Sequence, residues 1–429
     1  MARLFGTDGI RGVAFGEVLT EDLTRQVAAS AVRVLGGTRV AIGRDTRPSG
    51  PALEKAAVEG FTAAGADVVL LGVVPTPAVA QVVASGGADL GLVLSASHNP
   101  AQDNGLKLFG PGGHKLTDAQ EDAIEDGLGS LGDGRGAVAD GTDLVDGYVQ
   151  ALLSTVGSLT GLKVVVDAAE GAASVLAPEV YRRAGAQVVA IHAAGDGERI
   201  NDGCGATHPE SLAAAVVEHG ADRGGAHDGD ADRCIFVDSS GTVLNGDQVL
   251  GLLALARRDA GLPASEVLVA TVMSNLGLAQ AMEKAGIELV RTAVGDRYVL
   301  EAMLEHGYRL GGEQSGHVVL LDHATTGDGL LTALQVMDRV VRSGTPLAAL
   351  AEVVTLLPQV LVNVRADRSR ATADAVLAAV AEEERALGGA GRVLLRPSGT
   401  EPLVRVMVEA KTQELAENVA QRLAAVVGG

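Results

Sequence analysis

Aromatic side chains are nearly missing from this chain. They make up 2% of its 429 residues, and tryptophan is absent. Any core must then be aliphatic, and at 47% hydrophobic residues large cores are within reach. This Ala/Val/Leu/Gly balance suits parallel sheets covered by helices, whose buried strands read as continuous apolar runs. Cysteine is almost as scarce. Only Cys204 and Cys234 occur, which argues against a disulfide framework and fits a reducing, cytoplasmic setting. Basic residues number 34 against 54 acidic ones, a formal net charge of −20. Nucleic acid and anionic membranes are therefore excluded as expected partners. Any bound phosphate must be held by local cationic clusters. No apolar run reaches bilayer length, because Gly, Pro or a charge interrupts each one. The first residues also lack the apolar segment of a signal peptide. The expectation is a cytoplasmic protein of about three or four domains.

What is present is a recurring strand-helix-strand unit. A predicted strand at 39–43, a helix to about residue 64 and a strand at 67–74 form the first copy. The second has segments 162–167, 173–184 and 188–191, and the third 267–270, 276–285 and 287–291. Each helix ends in Ala-Gly before a β-rich run, as glycine C-caps predict. Repetition of this unit predicts an α/β protein with three related mixed or parallel α/β domains in tandem. The remainder reads strand, helix, strand, strand, helix, which suits a smaller C-terminal α+β domain. The predicted domains are 1–150, 151–250, 251–360 and 361–429, arranged around a central cleft.

Four stretches carry chemistry. After the apolar run 90–94, Ser95-Ala-Ser97-His98-Asn-Pro100 presents a hydroxyl beside an imidazole. Asn104-Gly105, a pair tolerant of positive φ, is expected to close this loop and return Lys107 toward the serine. A polar turn would use the same letters. Asp228-Gly-Asp230-Ala-Asp232-Arg233 places carboxylates at alternate positions, where they can converge on one hard cation. The EF-hand pattern fails, since Arg233 and Ser239 stand where glycine and glutamate are needed. Without a metal these carboxylates would repel, although a solvated acidic turn remains an alternative. Arg396-Pro-Ser398-Gly399-Thr400-Glu-Pro402, with Arg405 on the next strand, reads as an anion-binding loop or as an ordinary turn. Gly312-Glu313-Gln314-Ser315-Gly-His317 could bind sugar hydroxyls or be a polar hairpin. Asp296 and Arg297 lie on a loop at the carboxyl end of a predicted strand, where α/β proteins bind ligands.

Other patterns carry little. The stretch 127–132 spells a dinucleotide fingerprint but follows an acidic helix, and 110–117 lacks the ending of a nucleotide phosphate loop. His192, His219 and His306 fall in strand or helix contexts without partners and read as structural or surface residues. With no nucleotide site, a serine, an aspartate triad and a separate phosphate loop describe an intramolecular phosphate mover. A phosphoserine would add roughly −1.5 to −2 charge and demand a cation.

The blocks Phe5–Gly12, Ser95–Pro100 with Asp103–Lys107, Asp228–Arg233, Gly312–His317 and Arg396–Pro402, in this order and spacing, resemble the α-D-phosphohexomutase family over essentially the whole chain. The resemblance implies a phosphorylated Ser97, with Asp228, Asp230, Asp232 and Ser97 around one Mg²⁺ per chain and Arg233 beside it. It implies that Arg11, His98, Lys107 and His317 line the reacting centre, with Lys107 foremost as general acid or base. Glu313 and Ser315, with Asp296 and Arg297, would contact the sugar. Arg396, Ser398, Gly399, Thr400 and Arg405 would bind the non-reacting phosphate. The opening block and Gln314 resemble the glucosamine branch more than the glucose/mannose branch. The expected substrate is a hexosamine phosphate, feeding UDP-N-acetylglucosamine and cell-wall precursors. The alternatives are a glucose or mannose phosphate mutase of the same family and a non-catalytic sugar-phosphate sensor. A homodimer is left open.

Overall fold

The strands Leu90–Leu94, Cys234–Asp238 and Val267–Thr271 are buried along their whole length, as apolar runs enclosed on both faces must be. The computed structural model describes residues 3–397 and 402–429. It contains two units, Met1–Val272 with Ile287–Glu352, and Met273–Gly286 with Val353–Gly429.

The larger unit holds three mixed sheets. The first runs Ile10–Val13, Asp103–Gly110, Leu90–Leu94, Arg39–Arg44, Asp67–Val73, Val138–Asp140, with His114–Lys115 paired to Asp103–Gly110. The second runs Val243–Leu244, Cys234–Asp238, Arg223–His227, Lys163–Asp167, Gln187–Ile191. The third runs Glu288–Thr292, Val267–Thr271, Leu310–Gly312, Val318–Leu320. In each sheet a parallel strand-helix-strand pair is extended by antiparallel neighbours. The α/β class expected from the repeats is therefore what forms.

The smaller unit is a three-stranded antiparallel sheet, Gln359–Arg365, Leu403–Glu409, Arg392–Pro397, with helices Asp374–Leu387 and Gln413–Gly428. Its core comprises Val376, Val404, Val406, Val408, Val419 and Leu423. The helix Leu276–Ala285, predicted to its last residue, groups with this unit. Among the described residues no helix is long and apolar enough to cross a membrane.

Two local expectations are corrected. Asn104-Gly105 is not a turn but part of the strand Asp103–Gly110, antiparallel to both Ile10–Val13 and Leu90–Leu94. Gly105 is needed there for space, because a Cβ would lie 2.6 Å from the Ser95 carbonyl oxygen and 2.9 Å from that of Ile10. The left-handed residue is Ser97 itself, at φ 53°. His192 also has a partner. It follows Gln187–Ile191 with φ 46°, and its Nδ1 lies 3.0 Å from Asp167 Oδ2. His219 and His306 are exposed.

Candidate active site

The serine loop begins where Leu90–Leu94 leaves its sheet. Ser95 and Ser97 are both fully buried. Ser95 Oγ donates to Asp45 Oδ2 at 2.5 Å and accepts the Ser97 N–H at 3.0 Å. The loop then closes over a buried arginine. Arg47 pairs with Asp45 through Nε at 2.9 Å, and both side chains are 0% exposed. Its terminal nitrogens donate to the carbonyls of Ser97 at 2.9 Å, Asn99 at 2.7 Å, Asp103 at 2.8 Å and Pro100. Asn201 Nδ2 adds bonds to the Ser97 and Asn99 carbonyls at 2.9 and 3.1 Å. A non-glycine left-handed residue costs roughly 1–2 kcal/mol, so this web of carbonyl contacts is what maintains Ser97 in that conformation.

The result is a hydroxyl aimed at the acidic loop. Ser97 Oγ donates to Asp228 Oδ2 at 2.6 Å and lies 3.3 Å from His98 Nδ1. Asp228, Asp230 and Asp232 connect the antiparallel strands Arg223–His227 and Cys234–Asp238, with Ala231 at φ 58° turning the loop. Gly229 fits beneath Ser97, whose carbonyl oxygen would be 2.5 Å from any Cβ there. From the other side, the Gly329 N–H at the start of helix Gly329–Ser343 binds the Ala231 carbonyl at 3.0 Å. Strand pairing and these flanking contacts bring carboxylates spaced two apart onto one point.

One oxygen from each aspartate lies within 4.8 Å of the other two. All three side chains are buried, and Asp230 Oδ1 and Asp232 Oδ1 have no hydrogen-bond partner among the described residues. Burial, and then the charges of Asp232 and Asp230, push the Asp228 carboxyl well above the usual range. Asp230 goes the other way: burial would raise it, but Lys107 and the Thr76 hydroxyl hold it below the usual range. Buried oxygens that converge, two of them without a hydrogen bond, are the donor set of a hard divalent cation. The cluster could hold a metal.

Cations ring the cluster. Burial would lower Lys107, but Asp230, Asp8 and Asp232 raise it well above the ordinary lysine value. Its Nζ sits 2.6 Å from Asp230 Oδ2, 2.9 Å from Asp8 Oδ2 and 3.4 Å from Asp232 Oδ2. Lys107 is therefore held as an ammonium rather than as a neutral amine. Thr76 Oγ1 also donates to Asp230 Oδ2, at 2.6 Å. Arg11 pairs with Asp8, and Arg233 Nε approaches Asp228 at 3.8 Å and Asp232 at 3.7 Å. Burial, then Arg233 and Arg11, lower His98 to about 4, so it is a neutral neighbour of the serine.

The loop at 312–317 is tied to the acidic loop. Arg233 and His317 form an isolated antiparallel bridge, and the Cys234 N–H donates to the Gly316 carbonyl at 3.0 Å. Glu313 accepts the Gly295 N–H at 3.1 Å and lies 3.4 Å from Ser315 Oγ. His317 is buried, with Nε2 3.6 Å from Asp296 Oδ2. Asp296 also pairs with Lys115, whose Nζ reaches Asp8 Oδ1 at 2.8 Å. Asp296 lies not on a loop but at the start of the helix Asp296–His306, and an alternating chain, Asp296–Lys115–Asp8–Lys107–Asp230, joins that helix start to the acidic loop. Arg297 turns elsewhere, to Glu121 at 3.1 Å and Glu301 at 3.0 Å.

In the smaller unit Arg396 and Arg405 are direct partners across the antiparallel ladder, both half-buried. Like charges facing each other on a sheet are destabilising, which is tolerable where an anion binds between them. Ser398, Gly399 and Thr400 lie outside the described residues.

Sequence reading overlooked Asp8, Lys115, Arg47 and Asn201. Asp8 lay in plain view inside the Phe5–Gly12 block. Lys115 fell in a stretch set aside as a failed phosphate loop. Arg47 and Asn201 act through backbone carbonyls, which leave no mark in a sequence.

Profiles of the phosphoglucomutase/phosphomannomutase domains match the chain in order: alpha/beta/alpha domain I at 2–132, domain II at 146–241, domain III at 245–357 and the C-terminal domain at 361–426. The chain belongs to the phosphoglucomutase/phosphomannomutase family. These α-D-phosphohexomutases are isomerases. A protein of Parafrankia sp. named phosphoglucosamine mutase is 58% identical, covering 100% of this chain and 99% of its own length. One of the same name from Streptomyces coelicolor is 56% identical, covering 99% of this chain and 98% of its own. The crystal structure of a phosphoglucomutase/phosphomannomutase family protein from Burkholderia thailandensis superposes with a TM-score of 0.83 at 28% identity. That match covers 99% of this chain and 97% of the other.

Proposed function

We propose that this phosphohexomutase interconverts glucosamine 6-phosphate and glucosamine 1-phosphate, through a phosphorylated Ser97 and a bisphosphorylated sugar. The observation that carries the reading is the 2.6 Å bond from Ser97 Oγ to Asp228, inside a cluster of three buried carboxylates. The full-length 58% identity to a phosphoglucosamine mutase favours the amino sugar over glucose or mannose. The product would supply UDP-N-acetylglucosamine and cell-wall precursors.

Asp228, Asp230 and Asp232, with Ser97, would hold one Mg²⁺, which when bound neutralises phosphoryl charge. The residues do the rest. Ser97 gives its phosphoryl group to a sugar hydroxyl: the bond from phosphorus to Ser97 Oγ breaks as the bond to the sugar oxygen forms. The hydroxyl proton leaves to a group on the reacting side, where Lys107, His98, Arg11 and His317 are candidates. After the bisphosphate turns over, Ser97 Oγ takes the other phosphoryl group, and the freed sugar oxygen is reprotonated. Lys107 is the first candidate for returning that proton. Glu313 and Ser315 orient the sugar, and Asp296, next to His317, borders it. Arg233 steadies the acidic loop. Arg396 and Arg405, with Ser398, Gly399 and Thr400, hold the phosphate that does not react, as charge-assisted forks. The chain divides functionally at about residues 150, 250 and 360, one loop to each part.

Intact-mass measurement of wild type and Ser97→Ala tests the carrier role. One labile phosphate on wild type alone, with activity lost in the variant, is the expected result, and turnover by Ser97→Ala overturns it. Rates on glucosamine, glucose and mannose phosphates test the substrate. Equal or faster turnover of glucose 1-phosphate would remove the amino-sugar assignment.

A further inference from the structure

Asp167, His192 and Cys204 take no part in the chemistry above, yet three separate segments bring them together. Asp167 ends the strand Lys163–Asp167, His192 follows the strand Gln187–Ile191, and Cys204 precedes the short helix Gly205–Thr207. One potential ligand atom from each lies within 4.8 Å of the other two. Asp167 and Cys204 are buried, whereas the His192 side chain is 27% exposed and opens the cluster to solvent.

We propose that Asp167, His192 and Cys204 form a second metal site, for a divalent transition cation of the zinc class. Thiolate, imidazole and carboxylate are the donors such ions take, with a fourth position left to water. Mg²⁺ prefers oxygen donors and stays with the aspartate cluster. The carboxylate is already oriented as a ligand should be. Asp167 Oδ1 accepts the Ala169 N–H at 2.9 Å, and Oδ2 accepts the Gly205 N–H at 3.0 Å. Such outer contacts fix ligands and support affinity.

Without a cation two of the donors are turned on one another, His192 Nδ1 lying 3.0 Å from Asp167 Oδ2. Cys204 Sγ makes only a marginal contact, 4.0 Å from the Arg199 carbonyl oxygen. A bound dication would give that sulfur a bonding partner. The thiol proton leaves to solvent, a sulfur–metal bond forms, and thiolate plus carboxylate neutralise the ion. The surrounding backbone is also unusual, with Ala169, Glu170, His192 and Asn201 all at φ between 46° and 61°. Non-glycine residues in that region cluster at functional sites. Asn201, three residues before Cys204, binds the Ser97 and Asn99 carbonyls. A cation here would brace the serine loop from its far side.

Cobalt titration of the full-length protein in saturating Mg²⁺ tests the site. One equivalent of Co²⁺ should develop a thiolate-to-cobalt charge-transfer band with tetrahedral visible bands, and Zn²⁺ should abolish both. The band should vanish in Cys204→Ser and persist in Cys234→Ser, which removes the only other thiol. His192→Ala, at a partly exposed position, should fold and bind Co²⁺ at least tenfold more weakly. No band in the wild type, a band surviving Cys204→Ser, or unchanged affinity in His192→Ala overturns the proposal.

Discussion

The guanidinium of Arg47 holds the carbonyl oxygen of Ser97 at 2.9 Å while pairing with Asp45 in a space closed to water. The same group reaches three further carbonyls of the loop, so one side chain sets the conformation in which Ser97 points at the acidic cluster. Lysine keeps the charge but not the planar fork. Arg47→Lys should therefore fold, bind substrate with little change in KM, and lose roughly 10²-fold in kcat, the penalty for about an ångström of misplacement. Arg47→Ala leaves Asp45 charged, buried and unpaired, and should lose about 3–5 kcal/mol of stability. Steady-state kinetics and thermal melting separate the two effects. A wild-type kcat in Arg47→Lys would show that the clamp does not position the serine.

How much of this was legible depends on how local each feature is. The strand Leu90–Leu94 and the helix Leu276–Ala285 were readable to the residue, because an apolar run or a glycine stop marks their ends. The aspartate triad was readable because its ligands sit two apart in one loop. Asp103–Gly110 was misread, since Asn-Gly is a turn pair to its neighbours and its partner Ile10–Val13 lies about ninety residues upstream. The alternating chain from Asp296 to Asp230 was invisible for the same reason: each link joins residues distant in sequence. His192 looked solitary because its partner, Asp167, ends a different strand.

Arg405 stands opposite Arg396 on the ladder, so removing it should have opposite effects on binding and stability. A charge-assisted bond to a phosphate contributes about 1.5–3 kcal/mol. Within each half-reaction the clamped phosphate stays put while the other end reacts, so the bond is worth the same in ground and transition states of transfer, and its loss appears in KM. Arg405→Ala should raise KM roughly 10- to 150-fold with kcat nearly unchanged, while its unfolding midpoint is unchanged or slightly higher. An unaltered KM would remove this pair from substrate binding.

Asp328 caps the helix Gly329–Ser343 through the Leu331 N–H at 2.9 Å and takes the Tyr148 hydroxyl at 3.1 Å. Burial, with Asp232 adding its charge, pushes the carboxyl up from 3.8 to about 6 despite these bonds. Between those values the folded state holds a proton that the unfolded chain has released. Stability from this group is therefore fully present at low pH and falls as pH rises toward 6, by about 3 kcal/mol in all. Asp328→Asn keeps a cap acceptor and cannot titrate. Denaturant unfolding at pH steps from 4 to 7 should show the variant gaining on wild type through this window and levelling above it. A constant difference across the range contradicts the shift.

Asp228 sets metal binding against folding. Its carboxyl resists ionising because burial and two neighbouring carboxylates oppose the charge, so stability of the metal-free fold falls as pH rises from the ordinary carboxylate range toward the raised pKa. Asparagine avoids this loss. In excess chelator at pH 7, Asp228→Asn should melt above wild type, a gain of roughly 1–2 kcal/mol, of the size that follows when a destabilised functional group is neutralised. With saturating Mg²⁺ the order should invert, because only the wild type retains the full ligand set, and a cation binding the native state alone stabilises it by mass action. Activity should follow the metal: chelator should silence the wild type while far-ultraviolet circular dichroism stays native, and Asp228→Asn should be inactive throughout. If the wild type melts higher than the variant in chelator, the three carboxylates are not held in mutual repulsion, and the penalty argued for a cation site there is absent.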